Sequence, residues 1–309
     1  MSADRSELSL PAFSGSSLLG FMAGLGTFRT LAELPESPAM RIKWIPMGSS
    51  YTPVLSGPGL DDRDTVLTKL HAALAGFAGH YSITVDKDLK ISGERFRGLA
   101  ERAATDYLDG TDGRGAAMTA AFGCDAVVDD NGQIEDTAFR TMSGAGHQHF
   151  LEFMDVLARE TTVEQLREAL FGPWLYRDSS PVMRWDSEDD RRYALRWDEP
   201  SKDPVRTVRG ANRLAIASLP FFPVVPVGNE VATAGFKGKG RRDTFITWPI
   251  WSGWLGSDAV RSLLASKEVQ ERRPKSGELL RARGVVARYR SQRINPTSKY
   301  RNFTPAESV

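Results

Sequence analysis

Three glycines interrupt the most apolar stretch of the chain, Leu18-Leu-Gly20-Phe-Met-Ala-Gly24-Leu-Gly26-Thr-Phe28, and they limit how it can pack. Leu18, Leu19, Phe21, Met22, Leu25, Phe28 and Leu31 recur at mostly helical spacing behind a serine cap, which predicts a buried helix over 16–34. Each glycine inside a helix costs about 1 kcal/mol relative to alanine, so something must compensate, most simply the close approach of another backbone. The expected fold therefore has this helix pressed hard against a sheet or a second helix.

Residues 39–45 alternate Ile42 and Trp44 with Arg41 and Lys43, the period of a half-buried strand. Helical patterns follow at 62–78, 94–108, 148–158 and 162–170. Between them, DAVVDDNGQIEDTAFRTM at 125–142 holds Asp-Asn-Gly between two strand-like runs and predicts a hairpin. The run from Leu219 to Val227 carries Pro220, Pro223 and Pro226, so it is extended but not a central strand throughout. TFITWPIW at 244–251 reads as a buried strand ending at Pro249. Helices mixed with short, mostly antiparallel strands, lacking regular βαβ alternation, predict an α+β fold. The expected organisation is a helix-rich region over 1–175 and a β-rich region over 176–309 with a basic C-terminal segment, as two units or as one continuous domain.

With 41% hydrophobic and 26% charged residues in 309, the composition is that of a chain with a substantial core and excludes wholesale disorder. The lone cysteine, Cys124, excludes an internal disulfide framework and a cysteine-rich zinc module, and suits a reducing compartment. The start, MSADRSELSLPAF, has no apolar leader core, and no run approaches the ~18 apolar residues of a spanning helix. A soluble, cytoplasmic protein without a membrane partner is expected. The net charge of +1 hides an uneven distribution: from Lys267 to Val309 eleven Lys or Arg face four Glu, a surplus of seven, which leaves −6 upstream. A basic end on a mildly acidic body fits contact with nucleic acid within an assembly better than a stand-alone binder.

Arg184-Trp185-Asp186 returns as Arg196-Trp197-Asp198 around a charged run at 188–192. Strands at 183–185 and 193–197 would make a hairpin whose indoles cover the core. Asp186, Glu188, Asp189 and Asp190 could instead gather a divalent cation, although the spacing is not that of a calcium loop. His147 and His149 could join such a site in a metal-dependent nuclease or hydrolase, but they precede an apolar helical pattern and are expected at a helix start. Phosphate-loop, dinucleotide, nucleophile-elbow and His-Glu-x-x-His spacings do not occur in the sequence, so no cofactor, metal or catalytic residue is expected. The better signal is for an anion. Lys237, Lys239, Arg241 and Arg242 are interleaved with Gly235, Gly238 and Gly240, which lets both backbone and side chains approach phosphates. Arg288 and Arg290 share one face of a strand in VVARYRSQRI, with Arg293 extending the row, and Arg209 and Arg213 open a helix as a third patch.

Several stretches together resemble a known group: Leu18-Leu-Gly20 through Gly26, Ser143-Gly-Ala-Gly-His-Gln-His-Phe150-Leu, Arg184-Trp-Asp with Asp190-Arg-Arg-Tyr-Ala-Leu-Arg196, and Gly210-Ala-Asn-Arg-Leu-Ala-Ile216 followed by Pro220-Phe-Phe-Pro. The pattern is similar to the subtype-specific subunits of type I-G CRISPR systems, formerly called I-U, both large-subunit-like proteins and a smaller companion family. The resemblance is scattered over 16–250 and stops short of the basic C-terminal segment. It implies a non-catalytic part of an antiviral effector that acts with guide RNA on invading DNA, beside other CRISPR subunits and a helicase-nuclease. It implies no role for any individual residue.

Overall fold

A computed structural model of the chain describes residues 6–37, 39–142, 144, 147–187, 206–238, 244–272, 277–295 and 301–309. The architecture is α+β, with small antiparallel sheets set among helices. Its centre is α1 (Leu18–Ala32), in which every residue from Leu18 to Leu31 is buried. The Ser17 hydroxyl accepts from the Gly20 amide at 3.4 Å, the cap that starts the helix. A helix apolar on all sides must be covered on all sides. On one side lies a three-stranded sheet in the order β1 (Ser6–Ser9), β3 (Ser50–Gly57), β2 (Arg41–Met47). A methyl added at Gly24 would stand 3.1 Å from Pro53 of β3 and 3.2 Å from the Trp44 ring of β2. On the other side α8 (Arg209–Ala217) crosses so closely that a methyl at Gly26 would stand 2.7 Å from the Leu214 carbonyl carbon and nearer still to its oxygen. The glycines thus serve both a sheet and a helix.

Helices α2 (Arg63–Ala75), α6 (Phe150–Glu160) and α7 (Val163–Phe171) pack around α8, and a short α3 (Tyr81–Thr84) leans on α6. The pair α4 (Gly93–Leu108) and α5 (Gly113–Phe122) leads into the hairpin of β4 (Gly123–Val128) and β5 (Ile134–Asp136). Its turn is held by Asp129, whose Oδ1 accepts from the amides of Asn131 and Gln133, both at 2.9 Å, with Gly132 at a φ of 71°. The proline-rich run divides. Leu219–Phe221 forms a 3₁₀ turn, and β6 (Val224–Val227) pairs with β7 (Glu230–Thr233) in a sheet of two, where Pro226 is at an edge.

The second main sheet runs in the order β11 (Asn302–Phe303), β10 (Val285–Ile294), β9 (Phe245–Trp251), β8 (Phe236–Lys237), and β12 (Glu307–Ser308) also pairs with β10. Strand β9 passes through Pro249 to Trp251, two residues beyond the expected end. The reason is local: β8 pairs with β9 only at Phe245 and Ile246, so β9 is an edge at Pro249, where a missing N–H is tolerated. Helices α9 (Ser257–Leu264), α10 (Lys267–Gln270) and α11 (Gly277–Ala282) connect β9 to β10.

Aromatic rings join the two sheets through α1. Phe21 stacks on Trp44 at 5.4 Å and on Trp248 at 5.9 Å, and Trp44 meets Trp251 edge-on at 6.1 Å. The indoles find partners across the chain, Trp248 donating to the Gly15 carbonyl at 2.8 Å and Trp251 to the Ile42 carbonyl at 3.0 Å. The core is therefore continuous across residue 175. No helix among the described residues is long and apolar enough to cross a membrane.

Candidate nucleic-acid interface

Of the nine cations singled out in the sequence, Lys237 is the one whose side chain stands exposed among the described residues. It ends the edge strand β8, and in the antiparallel register it pairs with Phe245, so residues 238–244 connect the two strands. Lys239, Arg241 and Arg242 belong to that connection and lie outside the described residues. Beside Lys237 a cavity of about 460 Å³ opens between β5, β7, β8 and β10, and Arg293 contributes to its wall. Glu135, Asp136 and Glu230 also line it and outnumber the two cations, so the cavity itself does not favour a polyanion. Arg293 is pulled inward: its Nη2 donates to the Arg140 carbonyl at 3.4 Å, and the Nη1 of Arg301 donates to the same oxygen at 3.3 Å. Burial, reinforced by Arg301 and opposed by Asp136, pushes the Arg293 guanidinium down to about 9, which still leaves it charged at neutral pH.

Four other cations, expected at the surface, are instead inside the protein or tied to its own groups, which corrects their placement as an exposed patch. Arg213 is only 2% exposed, between α1, α2 and α8, and its Nη2 donates to the Leu74 carbonyl at 2.6 Å. Arg288 is buried where α10 ends, with Nη1 donating to the carbonyls of Val269 at 3.1 Å and Glu271 at 2.5 Å. It satisfies carbonyls that a helix end leaves without partners. Arg290 is buried with its guanidinium 4.4 Å from the Phe245 ring centre. Arg209 is half-buried, its Nη1 donating to Glu160 at 3.1 Å and its Nη2 to the Ser180 carbonyl at 3.2 Å, with Glu160 as its ion-pair partner. Strand alternation does place Arg288 and Arg290 on one face, but that face is covered by α10 and by Phe245.

The histidine and carboxylate candidates separate. His149 is the N-cap residue of α6, as expected of a helix start, and His147 adopts a left-handed φ of 60° just before it. Residues 183–187 form no strand, which removes the first half of the expected hairpin. Its second half at 193–197, and Glu188, Asp189 and Asp190, lie outside the described residues. The first Arg-Trp-Asp copy is instead core structure. Trp185 donates to the Phe139 carbonyl at 3.0 Å, Arg184 donates to Gln148 at 3.1 Å, and Asp186 accepts from the Tyr176 hydroxyl at 3.0 Å. Among the described residues no three His, Cys, Asp or Glu side chains gather as a metal site.

One arrangement escaped the sequence reading. His80 Nε2 lies 2.6 Å from Asp112 Oδ2, and His80 Nδ1 lies 2.8 Å from the Ser82 hydroxyl, the order of a nucleophile, base and acid. Ser82 has no exposed surface, so its hydroxyl cannot meet a substrate carbonyl. The trio is a clamp: His80 Nδ1 caps α3 through the Ser82 amide at 3.2 Å, and Asp112 caps α5 through the Arg114 amide at 2.9 Å. The thirty-odd residues between His80 and Asp112 gave no spacing signal by which to pair them. A scan against protein-family models finds no match, and a search among curated proteins returns no significant relative.

Proposed function

We propose that the chain is a non-catalytic, nucleic-acid-binding subunit of a type I CRISPR effector complex, working with guide RNA, the target DNA, neighbouring subunits and a helicase-nuclease. The observation that carries the reading is the exposed Lys237 at the end of an edge strand, from which the chain continues as Gly238-Lys-Gly-Arg-Arg242. A glycine-interleaved row of four cations in sequence, the first of them exposed at the end of an edge strand, suits backbone contact with phosphate, which gives affinity without sequence preference. In an RNA-guided complex base pairing reads the sequence, so a subunit of this kind needs no base-reading helix. The motifs that carry the family resemblance support the fold more than the contact, because the described parts of Gly20–Gly26, Arg184–Asp186 and Gly210–Ile216 are buried.

The test is a salt titration of binding to single-stranded and duplex DNA and to RNA, for the native chain and a variant with Lys237, Lys239, Arg241 and Arg242 all changed to Ala. Each cation that contacts phosphate contributes a slope of about 0.7 to 0.9 in log K against log salt. The variant is expected to bind more weakly, with a slope shallower by up to about 3. Equal affinity and equal slope in the two proteins would reject the loop as the contact.

A further inference from the structure

We propose that the cavity enclosed by α1, α2, α5 and α8 is a binding site for a small phosphate monoester carried on an aromatic body, of the size of a nucleoside monophosphate. The cavity measures about 320 Å³, at the lower end of the ~300–1,000 Å³ of small-molecule sites. Leu74, Phe77 and Met118 give it an apolar wall, and Arg29, Arg114, Arg213 and Glu33 supply its charges. Such a mixture is that of a ligand pocket: apolar surface for the body, a few cations for its charged end.

The three guanidiniums are not equivalent. Arg29 is neutralised by Glu33 at 2.7 Å and also donates to the Ala217 carbonyl at 3.1 Å. Arg213 is fully enclosed and no acid lies within ion-pair distance of it among the described residues; one of its donors reaches the Leu74 carbonyl, and its Nε has no hydrogen-bond partner. A guanidinium carries five N–H donors in a fork suited to phosphate oxygens, so most of this group's bonding capacity is unused. Burial pushes it down to about 9, with no opposing charge, and a bound anion would reverse that penalty. Arg114 stands half-exposed at the cavity, 3.4 Å from Asp112, which it shares with His80. Among the described residues Arg213 is the cation of the three with no acid beside it, and Arg114, partly offset by Asp112, adds a second guanidinium toward the charge of about −1.5 to −2 on a phosphate monoester at neutral pH. A phosphate also offers more acceptor oxygens to the idle Arg213 donors than a carboxylate does. For the body there is the apolar wall of Leu74, Phe77 and Met118, in which the Phe77 ring is stacked on His80 at 4.6 Å and has the Arg114 guanidinium 5.9 Å over it. This site is separate from the Lys237 loop and does not depend on the CRISPR reading.

The experiment is calorimetric titration of the full chain with AMP, with adenosine and inorganic phosphate titrated separately. AMP is expected to bind, the two fragments to bind far more weakly, and Arg213→Met to lower AMP affinity at least about tenfold, the effect of losing one charge-assisted contact. Because Arg213 is buried, Arg114→Gln provides a second variant on the exposed side, expected to lower affinity by several-fold. A 5′-phosphorylated DNA oligonucleotide and its unphosphorylated twin then compete against AMP. Displacement by the phosphorylated strand alone assigns the site to a strand terminus, and displacement by neither assigns it to a free nucleotide. No AMP binding at millimolar concentration, or binding unchanged in both variants, would overturn the proposal.

Discussion

Replacing Gly26 by alanine should damage the protein far more than the same replacement at Gly98, although both glycines sit inside helices. At Gly98, on the exposed face of α4, an added methyl meets nothing within 4 Å. The change there should gain about 1 kcal/mol, the ordinary difference in helix propensity. At Gly26 the same gain is available, but the methyl would lie 2.7 Å from the carbonyl carbon of Leu214 and 3.2 Å from the Ser218 amide nitrogen. These are backbone atoms and cannot rotate aside. The Leu214 oxygen is nearer still, so restoring a normal separation of about 3.5 Å requires α1 and α8 to part by roughly 1.5 Å or more. That movement disturbs the Phe28–Phe221 stack at 6.2 Å and the Arg29 hydrogen bond to the Ala217 carbonyl. Overpacking of a close-packed core costs about 1–3 kcal/mol and occasionally more. With the lost contacts added and the propensity gain subtracted, Gly26→Ala should lose about 2–4 kcal/mol. Urea unfolding of the two variants beside the native chain reads the contrast directly, with the midpoint moving down for position 26 and up for position 98. A midpoint for Gly26→Ala at or above the native value would refute the close-packing argument.

Arg288→Ala should lose about 2–3 kcal/mol in urea unfolding while leaving nucleic-acid affinity unchanged, because this guanidinium satisfies carbonyls at the end of α10. Asn212→Ala should lose about 2–4 kcal/mol, since its side chain accepts from the Met183 amide at 3.0 Å and donates to Thr207 at 2.8 Å, both buried. Burial raises the Asp88 carboxyl above its ordinary range, against the pull of Arg140. The folded state therefore holds the proton more tightly than the unfolded state, and stability falls as pH rises through that window. Asp88→Asn removes this dependence, so the native chain should lose ground to the variant from about pH 4 upward in unfolding curves recorded at several pH values.

The fold was legible where one local rule acted alone. The glycine spacing of α1 demanded a close neighbour, the Asp-Asn-Gly turn fixed the β4–β5 hairpin, and strict alternation marked β2. Sequence patterns misled where tertiary partners decide. Alternation correctly gave Arg288 and Arg290 a common face, but the carbonyls of Val269 and Glu271 that occupy Arg288 come from α10 and its C-terminal cap. Arg213 carried a readable warning: it stands in Gly-Ala-Asn-Arg-Leu-Ala-Ile-Ala, whose small residues indicate a helix packed too closely for a surface cation. The first Arg-Trp-Asp copy covered the core as its indole suggested, yet without a hairpin, because Arg184 takes a left-handed φ of 58° that breaks the strand.

The most direct measurement of the proposed role is affinity purification of the tagged full chain from its native host under low salt, followed by sequencing of bound nucleic acid and mass spectrometry of bound proteins. The account predicts that guide RNA and other CRISPR effector subunits elute with it, and that the four-cation loop variant recovers less of the RNA. Elution of the native chain with neither RNA nor CRISPR proteins would contradict it.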